Sequence, residues 1–301
     1  MLVLPAVLAV VTVATAGFDG ALAARAAGRP EPVTVPATAP LREAARLLVG
    51  QRRSTPAADA VLWRAGVVTL PVAALLAALV LPLGTASVAD LAVGVVWFNA
   101  MEILAWAAVW LAGWGPNAAF SLVGGYRFVA QGLAYELPHM FALITAATAA
   151  GSLRIGGIVE AQADLWFVVW MPVAFVVYLL SAVAMAFWGP FAAPVGRDLA
   201  GGAAGELSGV DRLLFLAGRW LLLVVAAAMA VPLFLGGGGG PLLPAWLWTL
   251  LKTAAVLGAV VWLGRRFPTV RMDRFVEVAW VVLIPLTIVQ ALVVSLVVLG
   301  G

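Results

Sequence analysis

The sequence predicts an all-α, polytopic integral membrane protein of about eight transmembrane helices, and three observations carry that prediction. Hydrophobic residues fill 64% of the 301 positions and charged residues only 10%. The mean hydropathy is +1.10, outside the composition of soluble domains. The apolar residues also gather into runs of about 20, the length that carries a helix across the hydrocarbon core.

The runs lie at about 1–18, 60–82, 88–112, 121–149, 164–187, 211–234, 243–264 and 274–299. The first ends in AVVTVATAG, whose small residues suit a signal-peptide cleavage region. It lacks a positive segment ahead of it and continues directly into the rest of the chain, so it reads as a retained helix. Eight spans put both termini on one side. The Lys and Arg residues sort by side: fifteen fall on or beside the odd-to-even connections, only Arg154 lies opposite, and Lys252 sits inside a span. By the positive-inside rule the loops at about 19–59, 113–120, 187–211 and 265–274 are cytoplasmic and both termini lie on the outer, periplasmic side. The whole chain, 1–301, reads as one membrane domain. Its positive charge is a topology signal, and no nucleic-acid partner is expected.

Within the first loop, LREAARLLVG places Leu41, Ala44, Ala45 and Leu48 on one stripe with Arg42, Glu43 and Arg46 off it. That pattern predicts a short amphipathic surface helix lying on the membrane or against a partner. The loop at 189–209 is rich in Gly, Ala and Pro and has no evident structure; loops of that length are usually functional or docked. GGGGGP at 236–241 reads as a flexible connector.

There is no cysteine and a single histidine, which excludes thiolate-held iron–sulfur clusters, thioether haem and bis-histidine haem on this chain. Glu136 and His139 have the spacing of a Glu-x-x-His metal motif, but without a second cluster one motif does not complete a site, and no metal is expected. The chemistry therefore falls to ionisable groups inside the spans: Glu102, Glu136, His139 and Lys252. Such groups are costly in a bilayer and normally face a bundle interior or a hydrated path. Pro138 removes a donor near Glu136 and leaves the Ala134 carbonyl without its helix partner. Arg127, Gln131 and Tyr135 follow at i, i+4, i+8 and share a face about 100° from Glu136; the plainer reading is that they hold helices together. Lys252 reads either as a counter-charge for Glu102 or Glu136, or as a relay element. A lone interior histidine is more often a satisfied structural group than a proton shuttle.

SLVGGYRFVAQGLAYEL, at 121–137, resembles the fourth-helix signature of the H subunits of bacterial NADH:quinone oxidoreductase, the complex I family that also includes membrane subunits of complex-I-like hydrogenases. DGALAARAAGR looks like the family's first-loop pattern, with Asp19, Arg25 and Arg29. APLREAARLL resembles its surface helix, with Arg46 in the place of a lysine. FPTVRMDRFVEVAWVVLIP keeps Pro268, Arg271, Asp273, Trp280 and Pro285, and LLKT supplies Lys252. The family's third cytoplasmic loop is rich in carboxylates. Here Met185, Trp188, Ala192, Val195 and Arg197 stand where Glu, Arg, Asp, Glu and Glu are expected, and only Asp198 and Glu206 remain acidic.

The resemblance implies a membrane-arm subunit in the cytoplasmic (inner) membrane of a prokaryote, inactive alone, which links peripheral subunits carrying iron–sulfur clusters to other membrane-arm subunits. It implies quinone as substrate, in a chamber near Asp19, Arg25, Arg29 and Arg46. It also implies a proton path drawing on Glu136, Lys252, Glu102, His139, Glu206 and Asp198. The depleted loop leaves open a hydrogenase- or formate-linked membrane anchor without a working quinone site. A stand-alone ion or proton transporter is the alternative of another class.

Overall fold

The computed structural model describes residues 3–28, 32 and 34–300, and they are almost wholly helical. In chain order the helices are α1 (Val3–Ala26), α2 (Thr34–Ala37), α3 (Ala39–Val49), α4 (Ala60–Ala78), α5 (Gly94–Trp114), α6 (Ala119–Ala150), α7 (Ile155–Glu160), α8 (Phe167–Trp170), α9 (Pro172–Met185), α10 (Gly209–Phe234), α11 (Ala245–Gly264), α12 (Met272–Val278) and α13 (Ile284–Gly300). A two-residue hairpin, β1 (Pro82–Leu83) with β2 (Ala86–Ser87), closes the α4–α5 turn.

Six of these stretches are long and apolar enough to cross a membrane: α1, α4, α5, α10, α11 and the continuous run Met272–Gly300. The other two predicted spans are also helical but differ in kind. Helix α6 is 32 residues long and carries the polar groups that dilute its hydropathy. Helix α9 has 14 residues; Pro172 disfavours a helical conformation at the residue before it, and Met171, with φ −123° and ψ 48°, separates α9 from α8.

Helix α10 is the hub. Every residue from Leu222 to Phe234 is buried, as expected of a helix that is apolar on all sides. The small side chains of AAAMA at 226–230 let neighbouring backbones come close. In the last helical run, Pro285 cannot donate to the preceding turn, and Ala279–Leu283 relaxes into a π-helical turn, a usual accommodation of such an interruption.

The odd-to-even connections meet at one end of the bundle. Asp59 N–H donates to the Gly115 carbonyl at 2.8 Å and Val270 N–H to Pro190 at 2.8 Å. Arg53 N–H donates to the Ser208 hydroxyl at 2.7 Å, and Arg52 pairs with Asp211 at 3.2 Å. The opposite end is tied separately: Arg154 pairs with Asp90 at 3.0 Å, and Gly84 N–H donates to Thr249.

The surface helix α3 forms as expected and leaves its apolar stripe uncovered: Leu41 (53% exposed) and Leu48 (60% exposed) face away from the chain, while Leu47, off that stripe, packs inward. Three sequence expectations change. The first helix runs to Ala26, so Asp19 and Arg25 lie on it and not in a loop. The stretch at 189–209 is folded, as four successive 3₁₀ turns, Gly189–Phe191, Ala193–Val195, Arg197–Leu199 and Gly202–Ala204. They pack on α6 where Gly124 has no side chain; a Cβ there would strike the backbone of Ala203 and of Pro194. The glycine run after α10 is no loose connector either. Gly236 and Gly237 have φ of 65° and 52°, and a Cβ on Gly236 would come within 2.6 Å of the Trp166 indole, so the run is a tight, glycine-requiring turn.

Candidate functional site

At the end where the odd-to-even connections meet, the bundle opens into a cavity of about 910 Å³, of the size that holds a drug-sized molecule. Its charged lining is Asp19, Arg127, Arg197, Asp198, Arg219, Arg265, Arg271 and Asp273; Trp188, Trp220, Val195 and Met272 contribute apolar wall. The Trp188 and Trp220 rings lie 5.8 Å apart. Each acid is matched by an arginine: Asp198 with Arg127 at 2.7 Å, Asp273 with Arg271 at 2.9 Å, and Asp19 with Arg265. Arg219 instead donates to the Ala186 and Phe187 carbonyls and lies over the Phe187 ring at 5.0 Å.

Four positions of the acid-depleted loop, Trp188, Ala192, Val195 and Arg197, line this cavity. Three of the four positions at which the resemblance implies an acid, Ala192, Val195 and Arg197, thus lie on the cavity wall; the fourth, Met185, is buried outside it. Of the residues proposed for the chamber, Asp19 is in the lining. Arg25 is exposed and outside it. Arg46 is an exposed partner of Glu43 at 2.6 Å, and its hydrogen bond holds the Glu43 carboxyl below the usual carboxylate range. Arg29 falls outside the described residues. Asp198 lines the cavity, whereas Glu206 is exposed away from it.

From the cavity, α6 carries polar groups inward at four-residue steps. Arg127 is in the lining. Gln131 is buried and donates to the Ala184 carbonyl at 2.7 Å. The Tyr135 hydroxyl, also buried, accepts from the Trp106 indole at 2.8 Å. His139 is the next rung, about 18 Å along the helix from Arg127 at 1.5 Å per residue. Here α5 supplies matching groups one and two turns apart: Asn99, Glu102 and Trp106. Glu102 Oε2 lies 3.1 Å from His139 Nε2, with both side chains essentially fully buried. The ring N–H is not aligned along that line, so no formed hydrogen bond joins them, and both oxygens and both ring nitrogens lack a partner. Glu136 Oε1 accepts from Asn99 at 3.1 Å, while its Oε2 is unpartnered. The Tyr178 ring, from α9, stacks on His139 at 5.2 Å and donates its hydroxyl to the Ala226 carbonyl at 2.7 Å.

Lys252 belongs to neither group, so of its two readings the counter-charge for Glu102 or Glu136 is overturned. Its ammonium donates to the carbonyls of Leu235 at 2.6 Å, Gly237 at 2.9 Å and Gly239 at 2.8 Å, and lies 4.0 Å from the centre of the Trp166 ring. It thus caps the C-terminal end of α10, where carbonyls lack helical partners and a cation is favoured. Gln162 braces the same turn, donating to Pro232 and accepting from Gly236. Asn99, Trp106, Gln162 and Tyr178 were not singled out in the sequence. Asn99 and Trp106 were findable as the neighbours of Glu102 on one helix face. Gln162 and Tyr178 carry no local signal.

The chain matches the family model described as NADH dehydrogenase over residues 1–295. It is 34% identical over 265 residues to the second of the NADH-quinone oxidoreductase H subunits of Geobacter sulfurreducens, covering 84% of this chain and 80% of that one. It is 38% identical over 207 residues to the first H subunit of the same enzyme in Geobacter metallireducens, covering 68% and 63%. To the first H subunit of Rhodopseudomonas palustris strain HaA2 it is 39% identical over 209 residues, covering 69% and 66%.

Proposed function

The chain belongs to the family of NADH:quinone oxidoreductase H subunits, and from that premise we propose that it is a membrane-arm subunit joining a peripheral redox module to proton movement in the membrane. The observation that carries this reading is the row of polar side chains on one face of α6, Arg127, Gln131, Tyr135 and His139, which starts in the cavity lining and ends at Glu102 of α5, beside Asn99 and Glu136. The cavity would take the quinone head. The Trp188 and Trp220 rings offer stacking surface, and the arginine donors suit carbonyl oxygens. Glu136 and its neighbours would hold and pass the proton whose movement the redox reaction drives. The assembly would sit in the cytoplasmic membrane of a prokaryote. Its iron–sulfur clusters would be on partner subunits docked over the connections at one end of the bundle, since this chain has no thiolate to hold them.

The names of the relatives favour this reading over a hydrogenase- or formate-linked anchor and over a stand-alone transporter. To test it, the assembled complex is isolated through a tag on this chain and labelled with a photoreactive short-chain quinone. Adducts at 188–197 or 264–273 that excess quinone suppresses are the expected result. A complex that reduces quinone without labelling this chain, or that carries a nickel-bearing catalytic subunit, would contradict it.

A further inference from the structure

The bundle buries two ionisable side chains against each other, with no hydrogen bond formed by either. Glu102 is on α5 and His139 on α6, 3.1 Å apart and both essentially unexposed. Phe98, 6.3 Å from the imidazole, and Tyr178, stacked at 5.2 Å, flank the histidine with rings. A lone carboxylate or a lone imidazolium in such surroundings is strongly disfavoured, whereas the two together can be neutral overall. That neutrality is reached in two ways with the same proton: as carboxylate beside imidazolium, or as carboxylic acid beside neutral imidazole. The other polar groups around them are few. Glu136 and Tyr135 come from α6, Asn99 and Trp106 from α5, and Tyr178 from α9. The face of α13 packed on α6 brings only the neutral Thr287 and Gln290. No arginine or lysine is paired with the cluster among the described residues.

We propose that Glu102 and His139 work as a single proton-sharing unit, an exchange site inside the membrane that feeds Glu136. In the exchange the N–H bond at His139 Nε2 breaks and an O–H bond forms at Glu102 Oε2. The electron pair of the N–H bond stays on nitrogen, no redox change occurs, and the pair stays neutral. Rotation of the imidazole brings the ring N–H, now off the N···O line, into register. Glu136 is one helical turn from His139 on α6, with Oε2 unpartnered, and is the next acceptor. Loss of a proton from the pair leaves one negative charge in the cluster, which favours a neutral Glu136 beside it; the two sites thus trade a proton instead of ionising together. The role of the pair in transfer rests on the proton-path reading above, but its proton sharing does not.

His139 is the only histidine in the chain, so ¹⁵N-histidine labelling reports this ring alone. The full chain in lipid nanodiscs is studied by solid-state NMR between about pH 5 and about pH 9, the range in which imidazoles change charge. Expected are a protonated Nε2 whose resonance is displaced by the carboxylate, loss of that displacement in Glu102→Gln, and a partial displacement in Glu102→Asp. An imidazole spectrum in Glu102→Gln identical to the parent overturns the pair. Should Glu102→Gln not fold, an imidazole spectrum in Glu102→Asp identical to the parent does so. In the assembled complex, His139→Gln is expected to slow coupled proton transport with quinone binding retained. Unchanged transport in Glu136→Gln would instead overturn the proton-path reading and leave the NMR signature in place.

Discussion

Lys252 and the Glu102–His139 pair are both ionisable groups buried within one bundle, and their surroundings are opposite. The lysine ammonium has three carbonyl acceptors within 3 Å and an indole face beside it; every donor has somewhere to go, and the group is fixed. The glutamate and histidine have each other at 3.1 Å and no made hydrogen bond. A satisfied buried charge holds structure, because moving it strands its partners. An unsatisfied buried pair contributes little to stability, and in the proton sharing we propose its two neutral forms would exchange one proton. The same membrane cost is thus met by hydrogen bonding at one site and by shared neutrality at the other.

The contrast can be broken first at the lysine. Lys252→Met leaves three carbonyls without their donor at the end of α10 and should cost about 3 kcal/mol, read as a lower melting temperature of the purified chain. A variant as stable as the parent would remove Lys252 from its bracing role. Next, Gly236→Ala puts a Cβ against Trp166 in a left-handed backbone conformation and should cost about 2 kcal/mol by the same measurement. The double variant Glu102→Leu, His139→Met replaces a buried ionic pair with apolar groups and should lie within about 1 kcal/mol of the parent, or be more stable. A large loss of stability there would make the pair structural. Smallest, Asp198→Asn removes the largely exposed partner of Arg127 and should change stability by less than about 0.5 kcal/mol.

The helices were legible because bilayer burial writes itself as runs of apolar residues, and the polar face of α6 because four-residue spacing survives in the sequence. His139 extends that spacing by one more step. What could not be read has physical reasons. The partners of Lys252 are backbone carbonyls, which carry no side-chain signature, and the glycines that present them look like a flexible tether until their positive φ angles are seen. The 189–209 stretch folds through tight 3₁₀ turns and the bare surface of Gly124, with no periodicity to announce it. The meeting of Glu102 with His139 depends on the register of α5 against α6, which no local pattern encodes. Arg46 and Glu206 carry the right chemistry but point away from the cavity, and Arg25 extends from the end of a helix that runs longer than its apolar stretch.

The central claim is that the cavity is joined to a proton-carrying cluster through α6, and Glu136 is where it is most exposed to test. The assembled complex is purified with Glu136→Gln, and proton uptake into liposomes is measured per quinone reduced. The variant should assemble and bind quinone but transport fewer protons than the parent. Full coupling in an assembled Glu136→Gln complex would contradict the account.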